Sequence, residues 1–237
     1  MKKDAKRFYL IDYYRALGII FVVIYHLLFD LQFIFGLPME FLNWDFIDLS
    51  RDIIIAGLIF VSGISCSFSK NNLIRGLKLL VVALLITFVT YYFVSDQIIL
   101  FGIIHFLAVA ILLTALFMPI LDSIKPINGL IIFGILFICL KFLGLMGMFM
   151  TDEPNFIYFM AGLTSYPYYS ADYWPLFPWI FAFISGAFGG KMITLGKAPE
   201  ILKWNKIPPL SFIGRHTLII YIVHQPILLG ILTLCLK

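Results

Sequence analysis

Residues 98–117 read IILFGIIHFLAVAILLTALF, a run without Asp, Glu, Lys or Arg whose one titratable side chain is His105. At ~1.5 Å per residue, twenty helical residues span about 30 Å, the thickness of a bilayer's hydrocarbon core. Backbone groups in that medium must bond within their own segment, so the run is helical. Working outward, similar blocks give predicted spans at 10–36, 47–68, 73–94, 127–147, 175–195 and 209–235, about seven in all. The chain is 62% hydrophobic and 13% charged, against roughly 25% charged in soluble domains. Mean hydropathy is +1.02. The expectation is an all-α polytopic membrane protein, residues 1–237 forming one transmembrane domain.

The opening MKKDAKR precedes an apolar stretch from Phe8 to about Leu37. That stretch is too long for a signal-peptide h-region and has no small-residue cleavage site, so it reads as a retained first span. If the N-terminus is cytoplasmic and the spans alternate, all basic residues except Arg51, Lys141 and Lys237 fall in inner segments. Glu40, Asp45, Asp48, Asp96, Asp152, Glu153 and Asp172 fall outside. This positive-inside asymmetry predicts a cytoplasmic-type membrane and a cytoplasmic N-terminus. The net charge of +4 thus sets topology, and no nucleic-acid partner is expected. Cys66, Cys139 and Cys235 are too far apart for a metal motif and read as packing residues, with no metal site expected.

Ionisable groups inside spans are costly and mark bundle interiors or watery cavities. His26 lies about 15 Å below the outer end of the first span, with Asp30 one turn nearer the surface on the same face. Asp52 lies about 8 Å into the second span, His105 about 10 Å into the fourth, and His224 about 17 Å from the outer end of the last. Their common depth predicts a polar cavity enclosed by the helices. A carboxylate on the face of an imidazole fixes its tautomer and suits it to general-base work, and an imidazole can also accept an acyl group directly. The bland alternative is hydrogen bonding between helices.

Asp12, Arg15, Lys70, Arg75, Lys78, Arg215 and His216 cluster at inner span ends. They read either as headgroup anchors or as a basic mouth for the phosphates of a donor such as coenzyme A. Gly57, Gly63, Gly186, Gly189 and Gly190 mark close helix contacts, the last three with an anion cradle as the alternative. Pro226, beside His224 and Gln225, is expected to kink the last span. Tyr166, Tyr168, Tyr169, Tyr173 and Trp174, in the long outer loop, read as interfacial aromatics or as a stacking platform for a sugar ring.

Five motifs carry a resemblance. Ile11-Asp12-Tyr13-Tyr14-Arg15-Ala16-Leu17-Gly18-Ile19-Ile20 runs on to His26 and Asp30. Phe60-Val61-Ser62-Gly63-Ile64-Ser65, Phe101-Gly102-Ile103-Ile104-His105 and Pro175-Leu176-Phe177-Pro178-Trp179 follow in order. The series closes on Phe212-Ile213-Gly214-Arg215-His216-Thr217-Leu218-Ile219-Ile220-Tyr221-Ile222-Val223-His224-Gln225-Pro226. Together they resemble the bacterial branch of the heparan-α-glucosaminide N-acetyltransferase catalytic-domain family, related to the acyltransferase-3 group. Residues 37–46 contain no His, whereas the lysosomal branch carries its proposed catalytic His just beyond the first span.

The resemblance implies transfer of an acetyl group from acyl-CoA to a sugar or glycan amine or hydroxyl at the extracytoplasmic side. His26 becomes the catalytic base or transient acyl acceptor, supported by Asp30. Asp52, His105, Asp172, Trp174, His224 and Gln225 line the substrate side. Arg15, Lys70, Arg75, Arg215 and His216 form the donor side. Expected partners are membrane lipid, acyl-CoA, a saccharide acceptor and, as an option, a second copy of the chain. The competing class is a small transporter or proton-coupled permease, in which the buried His and Asp form a relay. A non-catalytic scaffold ranks third.

Overall fold

A computed structural model of the protein describes residues 8–164, 167–197, 199–204 and 207–236. The basic residues among positions 1–7, Tyr166, Lys206 and Lys237 therefore lie outside the described residues. The chain divides into two compact units, Met1–Leu58 with Ala198–Lys237, and Ile59–Lys197.

The first unit contains α1 (Tyr9–Phe33), the opening part of α2 (Asp45–Ile64), α8 (Pro208–Arg215) and α9 (Thr217–Leu236). Tyr13, Ala16, Ile19 and Val22 recur every three residues on α1 and are buried. Pro208 starts α8, where its missing N–H costs nothing. Gly214 lets α8 touch the backbone of α1: a Cβ there would lie 1.9 Å from the carbonyl oxygen of Asp12. The Tyr13 hydroxyl accepts from Ile207 N at 2.9 Å, tying the start of α8 to the same turn of α1.

The second unit contains the end of α2, then α3 (Asn72–Phe93), α4 (Ile103–Leu121), α5 (Pro126–Phe142), the short α6 (Phe156–Ala161) and α7 (Trp179–Met192). The Asn71 side chain accepts from Ile74 N at 3.0 Å and caps α3. Here α3 pairs with α4, and α5 with α7. The glycine motif of α2 meets that of α7 backbone to backbone. A Cβ on Gly63 would lie 2.0 Å from Phe183 O, and one on Gly186 would lie 2.0 Å from Phe60 O. Phe60 and Ser67 approach Gly189 and Gly190, so these glycines serve packing in place of an anion cradle.

The protein is an all-α polytopic membrane protein. Among the described residues, six stretches are long and apolar enough to cross a bilayer: Tyr9–Phe33, Asp45–Phe68, Asn72–Phe93, Ile103–Leu121, Trp179–Lys197 and Thr217–Leu236. Pro126–Phe142 is apolar but shorter, at 17 residues. The expected span at 127–147 ends early because Gly144 adopts a left-handed φ of 69°. The expected span at 175–195 starts at Trp179, since the two prolines before it hold the chain outside the helix. The span expected at 209–235 is two helices. His216 leaves the helical path, and the Thr217 hydroxyl donates to Gly214 O at 2.9 Å, closing α8. Pro226 lies inside α9, which runs through it.

Candidate functional site

In the first unit, α1 and α9 bring His26 and His224 together. Their ring centroids are 5.0 Å apart at an interplanar angle of 65°. One turn further along α1, Asp30 is wholly buried, and both its carboxylate oxygens accept from the Gln225 amide nitrogen, at 2.9 and 3.0 Å. The i,i+4 spacing suggested that Asp30 orients His26, but the carboxylate engages Gln225 across the helix pair. A buried carboxylate takes the best donor within reach, and the amide supplies it without a second charge.

His224 is 7% exposed, and its Nδ1 lies 2.5 Å from Tyr221 O. A carbonyl oxygen only accepts, so Nδ1 carries a proton. Tyr25, next to His26 in sequence, sets its ring edge-on to that imidazole at 6.1 Å. The Tyr25 hydroxyl accepts from Arg51 Nη1 at 3.2 Å. Arg51 also reaches Asp48 at 2.8 Å and Asp52 at 3.4 Å. Asp52 thus enters the site as one member of an Arg51-centred network. Helical spacing does not point to Arg51 or Tyr25, since neither lies on the face of α1 defined by His26 and Asp30.

His105, Asp172 and Trp174 lie in the second unit, where their polar atoms hold a loop. Gly102 N donates to His105 Nδ1 at 3.3 Å, which puts the ring proton on Nε2. That proton meets the Thr87 hydroxyl at 2.9 Å, and Thr87 in turn donates to Ile99 O at 2.7 Å. Asp172 Oδ2 accepts from Ile103 N at 2.9 Å, capping α4 in the manner of an N-terminal carboxylate. Its Oδ1 accepts from Trp174 Nε1 at 2.7 Å. Both His105 nitrogens and both Asp172 oxygens are thus engaged in bonds that hold this part of the fold.

The aromatic loop is also largely inward. Tyr173 stacks on buried Phe159 at 4.5 Å and donates its hydroxyl to Phe159 O at 2.6 Å. Burial pushes its phenol up to about 12. Tyr168 packs on Phe156 and Phe159, and Trp174 sets itself edge-on to Trp179. Tyr169, 57% exposed, is the open ring among the described members of the group.

The basic residues divide between the units. In the first, Arg15 faces Asp12 at 3.7 Å. Arg215 Nε donates to Ser211 O, and His216 Nδ1 to Phe212 O, so both close the end of α8. In the second, Lys70 lines a cavity of about 520 Å³ with Asn72, Thr114, Asp122, Lys191 and Thr194. Lys191 pairs with Asp122. Two buried atoms of this wall, Asn72 Oδ1 and Thr114 Oγ1, have no hydrogen-bond partner among the described residues. One is an acceptor and the other a donor, which suits a ligand that carries amides. Arg75 donates from Nη1 to Cys66 Sγ at 3.8 Å beside the cavity. Among the described residues no group of three His, Cys, Asp or Glu is arranged to hold a metal ion.

Residues 7–226 match the family described as heparan-alpha-glucosaminide N-acetyltransferase, catalytic. No curated protein and no solved structure matches the chain. With nearly its whole length matched, the chain belongs to that family, one of membrane acetyltransferases.

Proposed function

We propose that this member of the heparan-α-glucosaminide N-acetyltransferase catalytic family takes an acetyl group from acyl-CoA and delivers it to a saccharide amine or hydroxyl at the extracytoplasmic side. The observation that carries this reading is the pairing of His26 with His224, two imidazoles set ring to ring inside a membrane unit. Imidazoles paired within a membrane have one general use in acyl transfer, to move a proton or an acyl group away from bulk water. In this reading His26 takes the proton of the attacking amine or hydroxyl. Asp30 and Gln225 hold α1 and α9 in register so that the two rings stay opposed. Asp52, in the Arg51 network, faces the acceptor side.

The cavity of the second unit is the donor site in this reading. Pantetheine carries two amides, which answer the unmet Asn72 and Thr114 atoms, and Lys70 answers phosphate charge. Arg75 supports that wall. Arg15, Arg215 and His216 anchor the inner end of the first unit against headgroups or donor phosphates. The placement of basic residues supports a bacterial cytoplasmic membrane with the N-terminus inside. The residues 1–237 act together as one transferase domain.

The test uses purified protein in detergent with labelled acetyl-CoA and a panel of amino sugars and oligosaccharides. Acceptor labelling is expected from the native protein and is expected to vanish in His26→Ala with the unfolding temperature retained. Full labelling in that variant removes His26 from the mechanism. Thermal stabilisation by acetyl-CoA separates the transferase from a permease, which has no reason to bind the donor.

A further inference from the structure

The cavity of the second unit lies where the start of α3 meets the closing turns of α4 and α7. Two polar side chains of its wall have an atom without a partner among the described residues, and their surroundings fix what each can bind. Asn72 donates from Nδ2 to the Cys66 carbonyl at 2.9 Å, so the amide oxygen left over is an acceptor. Thr114 is 4% exposed, and its hydroxyl is unmet inside α4, where a threonine ordinarily bonds the carbonyl one turn back. A buried polar group that folds without a partner costs stability, and a ligand that supplies one removes the penalty. An acceptor and a hydroxyl in one wall match a chain of amides, which offers N–H and C=O groups by turns.

The charge in this wall is small. Its cations among the described residues are Lys70 and Lys191, and Asp122 is paired with Lys191. Lys70 stands just before α3, whose cap Asn71 and first residues Asn72 and Leu73 belong to the wall. The positive end of a 22-residue helix therefore lies beside the ammonium, an arrangement suited to one phosphate group. Coenzyme A brings three phosphates, two in its diphosphate and one on the ribose. It also brings adenine, a flat ring that proteins commonly stack on an aromatic side chain. None of the described lining residues is aromatic, in a chain where 17% of residues are. The wall thus has groups for amides and for a single phosphate, and its described residues offer neither the charge nor the ring for a nucleotide.

We propose that this cavity recognises its donor as an acyl thioester of 4′-phosphopantetheine and leaves the nucleotide of coenzyme A outside, unread. This rests on the acyltransferase reading above and narrows what that reading means by a donor. Asn72 Oδ1 accepts from one amide N–H of the arm, and the Thr114 hydroxyl bonds the other amide. Lys70 and the first turn of α3 take the phosphate at the arm's far end. Ala115, Met118 and Pro119, on the α4 side of the wall, cover the arm's branched carbons. The consequence is a donor range wider than coenzyme A. The same thioester on the bare phosphorylated arm serves equally, because every group the cavity reads is already present there.

The experiment is a thermal-shift titration of the native chain in detergent with three probes: acetyl-CoA, S-acetyl-4′-phosphopantetheine and S-acetylpantetheine. The first two are expected to bind within about threefold of each other, and S-acetylpantetheine about tenfold more weakly for want of its phosphate. Lys70→Gln is expected to erase that last difference, so that all three bind alike. Thr114→Val is expected to weaken all three, while the unfolding temperature without donor holds or rises because an unmet buried hydroxyl has been removed. A hydroxyl that served only the fold would lower that temperature and leave binding unchanged, and this result overturns the Thr114 contact. A gap wider than threefold between acetyl-CoA and S-acetyl-4′-phosphopantetheine overturns the proposal, because the nucleotide is then read, and the transferase reading stands. Equal binding of S-acetylpantetheine by the native chain, or a tenfold step that survives Lys70→Gln, overturns the phosphate contact. If none of the three probes shifts the unfolding of the native chain, the proposal and the transferase reading fall together. The central comparison uses the native chain alone, so misfolding of a variant leaves the answer intact.

Discussion

Asp30 and Gln225, 195 positions apart, form the one described bond pattern in which a wholly buried carboxylate is satisfied by a side-chain amide. Neither member tolerates the loss of the other. Removing the amide leaves a buried carboxyl group without its donor, and removing the carboxyl strands the amide's N–H groups. Asp30→Ala and Gln225→Leu are each expected to cost about 1–3 kcal/mol of stability, as for a buried polar group left without its partner. The double variant should cost clearly less than the sum. Denaturation in detergent measures the coupling. Strict additivity would mean that the two side chains do not act as a pair.

His105 is expected to differ in effect from His26 and His224. His105→Ala leaves Gly102 N–H and the Thr87 hydroxyl without their ring partner, at a cost of about 1–3 kcal/mol. The rate of acetyl transfer per folded molecule should stay unchanged. Rates are compared after native protein is isolated by size exclusion. A large fall in rate per folded molecule, with stability retained, would return His105 to the reacting centre.

The glycine contact between α2 and α7 is equally exposed to test. A methyl group at Gly63 would need Phe183 O to retreat from 2.0 Å, and the obstacle is backbone that belongs to another helix. Gly63→Ala and Gly186→Ala are each expected to destabilise by about 1–3 kcal/mol, the usual cost of overpacking. Gly230→Ala, where nothing lies within 4 Å of the new methyl, serves as the neutral control. Thermal unfolding reads all three.

Tyr173 gives a pH dependence with a defined sign. Its phenol is raised to about 12 from an ordinary value near 10. The folded state therefore holds that proton more tightly than the unfolded chain. Its contribution to stability is complete below pH 10 and disappears as the pH rises toward 12. Tyr173→Phe is expected to lose the bond to Phe159 O and, with it, that part of the alkaline fall in stability. Denaturant titrations at pH 9 and pH 11 compare the two proteins. An identical alkaline fall in both would exclude Tyr173 as its source.

At the cavity of the second unit, Lys70→Glu is expected to weaken acetyl-CoA binding about tenfold, a change of about 1.4 kcal/mol. The thermal shift at fixed acetyl-CoA reports it. Lys191 is already engaged by Asp122, so Lys191→Met should weaken binding less. The reverse order would assign the phosphate contact to Lys191.

The spans were legible because composition alone determines them: a run such as 98–117 has no soluble alternative. The glycine contacts were legible from the clustering of small residues, and Gly63 and Gly186 do meet opposing backbone. The motifs also named His26, Asp30, His224 and Gln225, which the structure brings to one place. Their pairing was not legible. Helical spacing joins Asp30 to His26, whereas tertiary contact with α9 joins it to Gln225, and no local rule ranks the two. The role of His105 and Asp172 depended on a loop about seventy residues away and could be read only from the folded chain. The break at His216 carries neither glycine nor proline, so periodicity ran straight through it.

The fifth helix, 17 residues from Pro126 to Phe142, spans about 25 Å, some 5 Å less than an average bilayer core. Its last turn holds Lys141, whose ammonium sits 5.2 Å from the centre of the Trp179 indole. Lipids flanking that edge must therefore thin to meet it, or the charge must stretch to reach the headgroups. Acyl-chain length in the surrounding membrane thus becomes a variable that acts on this one side of the molecule, and short-chain lipids are expected to gather there.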